Sequence, residues 1–123
     1  MKYLLTFHVD QGRMGDSSPD EMKDAMERWN AFNNEAIEAG AMIACEALHD
    51  SSTATTIEVT EGGDRIATDG PFAESKEVVG GYAIVETKTR EEAEAVANQF
   101  MELHRIHVPQ FECECEVRPI EDY

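Results

Sequence analysis

The chain writes a helix start twice, each time after a strand. Ser18-Pro19-Asp20-Glu21 places an N-cap serine before a proline suited to the first helical position, with a glutamate at the third. Thr89-Arg90-Glu91-Glu92 repeats the pattern. After the first start, Met22, Ala25, Met26, Trp29, Phe32, Ala36 and Ile37 recur at helical spacing until Gly40 supplies a stop, so a helix is expected over 19–39. After the second, Ala93, Val96, Ala97, Phe100 and Met101 give another amphipathic helix. Before the first start, residues 2–9 alternate: Tyr3, Leu5, Phe7 and Val9 take one face, and Lys2, Leu4, Thr6 and His8 the other.

Between the helices the period changes to two. Strands are expected at Ala41 to Leu48, Thr55 to Thr60, Arg65 to Thr68 and Val78 to Glu86, with a polar turn over 49–54 and a hairpin turn at Glu61-Gly62-Gly63-Asp64. Phe111 to Arg118 alternates strictly and closes the chain as a last strand. Two βαβ-like halves of this kind give an α+β, ferredoxin-like βαββαβ sandwich, with both helices on one face of an antiparallel sheet. The other face keeps apolar residues such as Leu4. A second copy of the chain is the simplest cover for it, so a homodimer through the open sheet face is expected.

A length of 123 residues suits one domain with one core, here 1–123. Ten basic against 26 acidic residues give a net charge of −16. That balance argues against nucleic acid and anionic membranes, both of which demand a basic surface. No apolar run approaches the ~20 residues of a bilayer span. The first nine residues read as a strand and not as a signal peptide, and three cysteines do not make a secreted disulfide framework. A cytoplasmic location follows as the default.

The stretch richest in chemistry is Thr68-Asp69-Gly70-Pro71-Phe72-Ala73-Glu74-Ser75-Lys76-Glu77, ending in Gly80-Gly81-Tyr82. Asp-Gly-Pro makes a rigid turn, because Gly tolerates positive φ and Pro fixes its own. An aromatic ring and mixed charges beside such a turn suit a small-molecule site. Asp69 reads either as a general base or as the side chain of an Asx turn. His8, on the face opposite Tyr3 and Leu5, is a candidate acid or base near neutral pH. Glu46 is a candidate carboxylate at a strand end. Phe72, Glu74, Lys76 and Tyr82 are candidate ligand contacts, each with an ordinary packing or solvated-pair alternative. His104, His107, Cys113 and Cys115 form a weak zinc pattern, His-x2-His-x5-Cys-x-Cys, though paired thiols on one strand face also suit plain packing. Neither a nucleophile elbow nor a phosphate-binding glycine loop is written in the chain, and no cofactor is expected.

The Asp69-Gly70-Pro71-Phe72 turn with Glu74, Lys76-Glu77 and Gly80-Gly81-Tyr82 resembles the DGPF-motif branch of the YCII-related family. So do Met1-Lys2-Tyr3-Leu4-Leu5, Cys45-Glu46-Ala47-Leu48, Ala54-Thr55-Thr56 and Glu116-Val117-Arg118-Pro119-Ile120, in the same order along the chain. The resemblance implies a ferredoxin-like chain paired as a dimeric α+β barrel. It implies a polar cleft beside the turn, and with it either acid–base chemistry on a small organic molecule or binding of a metabolite without chemistry. One branch of the family places a proposed catalytic His on the first helix, paired with an Asp. Here that helix carries Trp29, Asn30, Asn33 and Asn34 and no His.

Overall fold

Lys2–Asp10 forms the first strand, β1, and it lies in the middle of the molecule. The computed structural model describes residues 1–10, 18–49, 51–70, 77–107 and 113–122. The chain continues as α1 (Pro19–Glu38), β2 (Met42–Ala47), a short 3-10 turn (Ser51–Thr53), β3 (Thr55–Val59), β4 (Arg65–Asp69), β5 (Glu77–Glu86), α2 (Arg90–His107) and β6 (Cys113–Pro119). Four strands make one antiparallel sheet in the order β2-β5-β1-β6, and β3 and β4 pair as a separate two-stranded hairpin. The architecture is α+β with two helices over an antiparallel sheet, as a ferredoxin-like fold requires.

Both helix starts are capped as their sequences dictate. The Ser18 Oγ accepts the Glu21 N–H at 3.2 Å, and Pro19 opens the helix. The Thr89 Oγ1 accepts the Glu92 N–H at 3.2 Å, while the Glu92 carboxylate accepts the Lys88 N–H at 3.2 Å. Each cap satisfies donors that have no partner within the helix. At the far end of α1, Gly40 takes φ +78°. That left-handed residue lets its N–H reach the Ile37 carbonyl and lets Ala41 reach Ala36, closing the helix with a 5→2 and a 6→1 bond.

The alternation in β1 decides which sheet face the helices cover. Tyr3, Leu5, Ala83 and Val85 are buried with Met42 from β2 and Ala93, Ala97 and Phe100 from α2. Phe7, Trp29, Phe32 and Ala36 pack against this cluster. The Phe100 ring sits 4.8 Å from Phe32, edge-on, and 5.0 Å from Phe7. Leu5 and Val85 are wholly buried, each contributing about 1.5–3 kcal/mol of transfer free energy. Register places the other set on the uncovered face: Leu4 opposite Ile84, and Thr6 opposite Tyr82.

The hairpin stands largely outside this core. Ile57, Val59 and Ile66 are exposed on it. At its open end Gly70 donates to the Ala54 carbonyl at 2.7 Å and the Thr56 hydroxyl donates to the Gly70 carbonyl at 2.8 Å, which closes the hairpin on itself. Gly70 takes φ +102°, the positive φ that an Asp-Gly-Pro turn asks of its glycine.

Candidate functional site

A cavity of about 460 Å³ lies between the helices and one end of the four-stranded sheet. Its floor follows from two missing side chains. Along the helix-facing side of β5, Val85 and Ala83 are buried core residues. The next position on that side is Gly81, opposite Phe7 of β1 and Ala47 of β2. A Cβ on Gly81 would stand 3.0 Å from the Glu46 carbonyl oxygen, and one on Gly80 would stand 2.7 Å from a Val9 methyl. The sheet therefore passes under the cavity as bare backbone. The register shift in β1 between Phe7 and His8 falls at the same place, where one extra β5 residue is accommodated.

The walls come from every neighbouring element. α1 supplies Met22, Met26, Trp29, Asn30 and Asn33; α2 supplies Phe100, Met101 and His104; Cys45 and Cys113 stand at the two sheet edges. Helical spacing explains the α1 set, because Met22, Met26, Trp29 and Asn33 recur three or four residues apart and share a face. Trp29 and His104 stack across the two helices with ring centroids 6.1 Å apart. A pocket of this size, with mostly apolar walls and a few polar groups, has the dimensions of a small-molecule site.

Apart from Glu46 and the ionisable His104, the polar groups in the walls carry no charge. The Asn33 side-chain oxygen is buried without a hydrogen-bond partner. Burial pushes the Cys45 thiol pKa up, the nearby Glu46 charge adds to this, and a hydrogen bond from Asn33 pulls the other way. The Cys113 thiol is pushed up to about 11, chiefly by burial and then by Cys115 and Glu114. Cys115, pushed to about 11 by burial, lines a separate space of about 230 Å³ between α2 and β6. At neutral pH all three are protonated and poor nucleophiles.

The expected site residues divide between the two sheet faces. Thr6, Tyr82 and Glu46 are register partners across β1, β5 and β2, so their side chains share the uncovered face. Glu46 and Tyr82 border the cavity from that row. His8 lies on the same face. Its Nε2 is 2.9 Å from the Thr6 hydroxyl and 3.9 Å from a Glu116 carboxylate oxygen, so it leans toward β6. Strand β5 separates it from Glu46. Asp69 is exposed at the end of β4, opposite Thr55 in the hairpin. Phe72, Glu74 and Lys76 lie outside the described residues, as does the His107 side chain. Among the described residues no three His, Cys, Asp or Glu side chains gather as a metal set. His104 and Cys113 line the larger cavity, and Cys115 the smaller.

Sequence reasoning missed the cavity's principal walls. Trp29 and Asn33 read as an amphipathic helix face and as the place where a family His is absent. Gly80-Gly81 read as the tail of a motif. The signal was there: two adjacent glycines in a strand mark a place where something approaches the backbone closely.

No curated protein matches the chain. The family model for the YCII-related domain matches residues 1–101, from β1 through most of α2. A match over that share of its 123 residues shows that the chain belongs to the YCII-related family.

Proposed function

We propose that this protein binds a small organic molecule in the cavity between α1, α2 and the glycine floor of β5, as a metabolite-binding or regulatory module. The observation that carries the reading is the cavity itself: backbone below, rings and methionines around, and an unsatisfied amide oxygen in the wall. Acid–base catalysis by Asp69, His8 and Glu46 would need the three in one reach. Glu46 and His8 have β5 between them, and Asp69 belongs to the hairpin. Binding without proton transfer therefore fits better. A small-molecule library screened by thermal shift tests it, with Gly81→Leu as the filled-cavity control. Compounds that raise the melting temperature of the native chain and not of the variant support the site. Compounds that stabilise both equally place binding elsewhere, and no stabilising compound at millimolar concentration sinks the reading.

A second reading concerns assembly. The uncovered sheet face carries Leu4 opposite Ile84, with Ala44 beyond it on β2, and Val79 and Ile43 are 40% and 49% exposed. An apolar strip on one side of an antiparallel sheet favours a cover, and we propose a second copy of the chain, sheet against sheet. Leu4→Lys should then halve the mass measured by light scattering at micromolar concentration. A native chain that already runs at single-chain mass ends the proposal. The Asp69-Gly70-Pro71-Phe72 segment supports placement in the DGPF-motif branch. Among the described residues no helix is long and apolar enough to cross a membrane. Free thiols at Cys45, Cys113 and Cys115 fit a reducing compartment, and we place the protein in the cytoplasm.

A further inference from the structure

We propose that the cavity selects an uncharged aromatic molecule carrying an O–H or N–H donor, which it gives to Asn33. This deepens the binding proposal above and rests on it. Three observations narrow the ligand. First, among the described residues that line the cavity there is no Lys, Arg or Asp, and the chain carries a net charge of −16. An anion would find no permanent counter-charge, only the His104 ring, and an opposing field. Second, the one acidic lining residue, Glu46, shares a row with Thr6 and Tyr82, which directs its side chain to the other sheet face. A cation would therefore meet no carboxylate on this side of the sheet, and only ring faces and amide oxygens would stand in for its water. Third, the lining includes the aromatic rings of Phe7, Trp29 and Phe100 together with Met22, Met26 and Met101, whose thioethers pack well on rings.

Asn33 decides the polar group. Its side-chain oxygen is a buried acceptor with no partner, and leaving such a group unpaired is costly. The amide torsion χ2 is soft, so a small turn brings the oxygen from the wall to the cavity. A ligand hydroxyl or amide N–H there supplies the missing bond. The two cavity thiols, being protonated, add no negative charge beside it.

The test uses Trp29, the chain's single tryptophan, as the reporter. Its emission is titrated with four probes: p-cresol, 4-methylanisole, phenylacetate and 2-phenylethylamine. The expected order is p-cresol tightest, about tenfold above 4-methylanisole, in which a methyl group replaces the donor hydrogen. Both charged probes should bind more weakly than either neutral one. Equal affinity of cresol and anisole overturns the donor assignment. Tightest binding by the amine overturns the charge assignment. Tightest binding by phenylacetate overturns the class, as it would if the amide presented its nitrogen to the cavity. In each of these cases the cavity itself stands as the site. Failure of all four sinks the binding proposal together with this one. Asn33→Leu should erase the cresol preference, because it removes the acceptor. A preference that survives Asn33→Leu assigns the acceptor to another group and overturns the role given to Asn33. Should the variant fail to fold, the four-probe order in the native chain still decides.

Discussion

The two faces of the four-stranded sheet are made from the same strands and behave as different materials. Toward the helices, β1 and β5 present Tyr3, Leu5, Ala83 and Val85, all buried, and then at Gly81 present nothing. Toward the uncovered side, the same strands present Leu4, Thr6, His8, Tyr82 and Ile84, all half-buried. The covered face gains its stability from packing and loses it abruptly where the glycines begin. The uncovered face carries the ionisable and hydroxyl groups that sequence reasoning had marked for chemistry. The lesson is that residue type alone pointed to the polar face, while the enclosed space lies under the apolar one.

Substitutions can test that contrast. The largest effect is expected from Leu5→Ala, about 3–4 kcal/mol of lost stability in urea unfolding, since Leu5 is wholly buried. A loss below about 1 kcal/mol would show the covered face to be loosely packed. Next comes Gly81→Val. Its Cβ meets the Glu46 carbonyl oxygen at 3.0 Å, and backbone yields less readily than a side chain. About 1–3 kcal/mol of destabilisation and a marked loss of ligand binding are expected. Unchanged binding would separate the glycine floor from the site. Thr6→Ala, on the opposite face, removes one hydrogen bond to His8 and should cost less than about 1 kcal/mol in the same unfolding assay.

The last prediction concerns pH. Cys113 and Cys115 hold their protons to about 11 in the folded chain, against an ordinary thiol value of 9.0. A raised acid pKa means that the unfolded chain releases protons first as pH climbs. Their contribution is therefore intact below pH 9 and declines through about 11. Equilibrium unfolding across that range, compared with a Cys113→Ala, Cys115→Ala double variant, should show a shallower decline in the variant. Identical slopes would place the thiols in contact with water.

Much of the fold was legible. The alternation of residues 2–9 and the capping patterns at Ser18 and Thr89 are local and strong, and β1, α1 and α2 follow from them within a residue or two. Strand boundaries moved slightly: β2 runs Met42–Ala47 and β4 extends to Asp69. Side of sheet was legible as well, because a period of two fixes it, and His8 lies opposite Tyr3 and Leu5 as its parity requires. The cavity was not. Helical spacing says that Met22, Trp29 and Asn33 face inward, but whether they meet a side chain or a gap depends on a strand more than 40 residues away in sequence. Separation of the hairpin from the main sheet was equally hidden, since β3 and β4 read as ordinary strands and nothing in their pattern names their neighbours.

The glycine floor gives the cavity one hard wall and one soft wall. Backbone held by sheet hydrogen bonds on both sides has no rotamers to exchange, so β5 offers a ligand a fixed surface. Met22, Met26 and Met101 opposite can each turn about three bonds. Molecules that share one flat edge and differ in bulk at the other should therefore be accepted as a series, with the shared edge lying against Gly80 and Gly81.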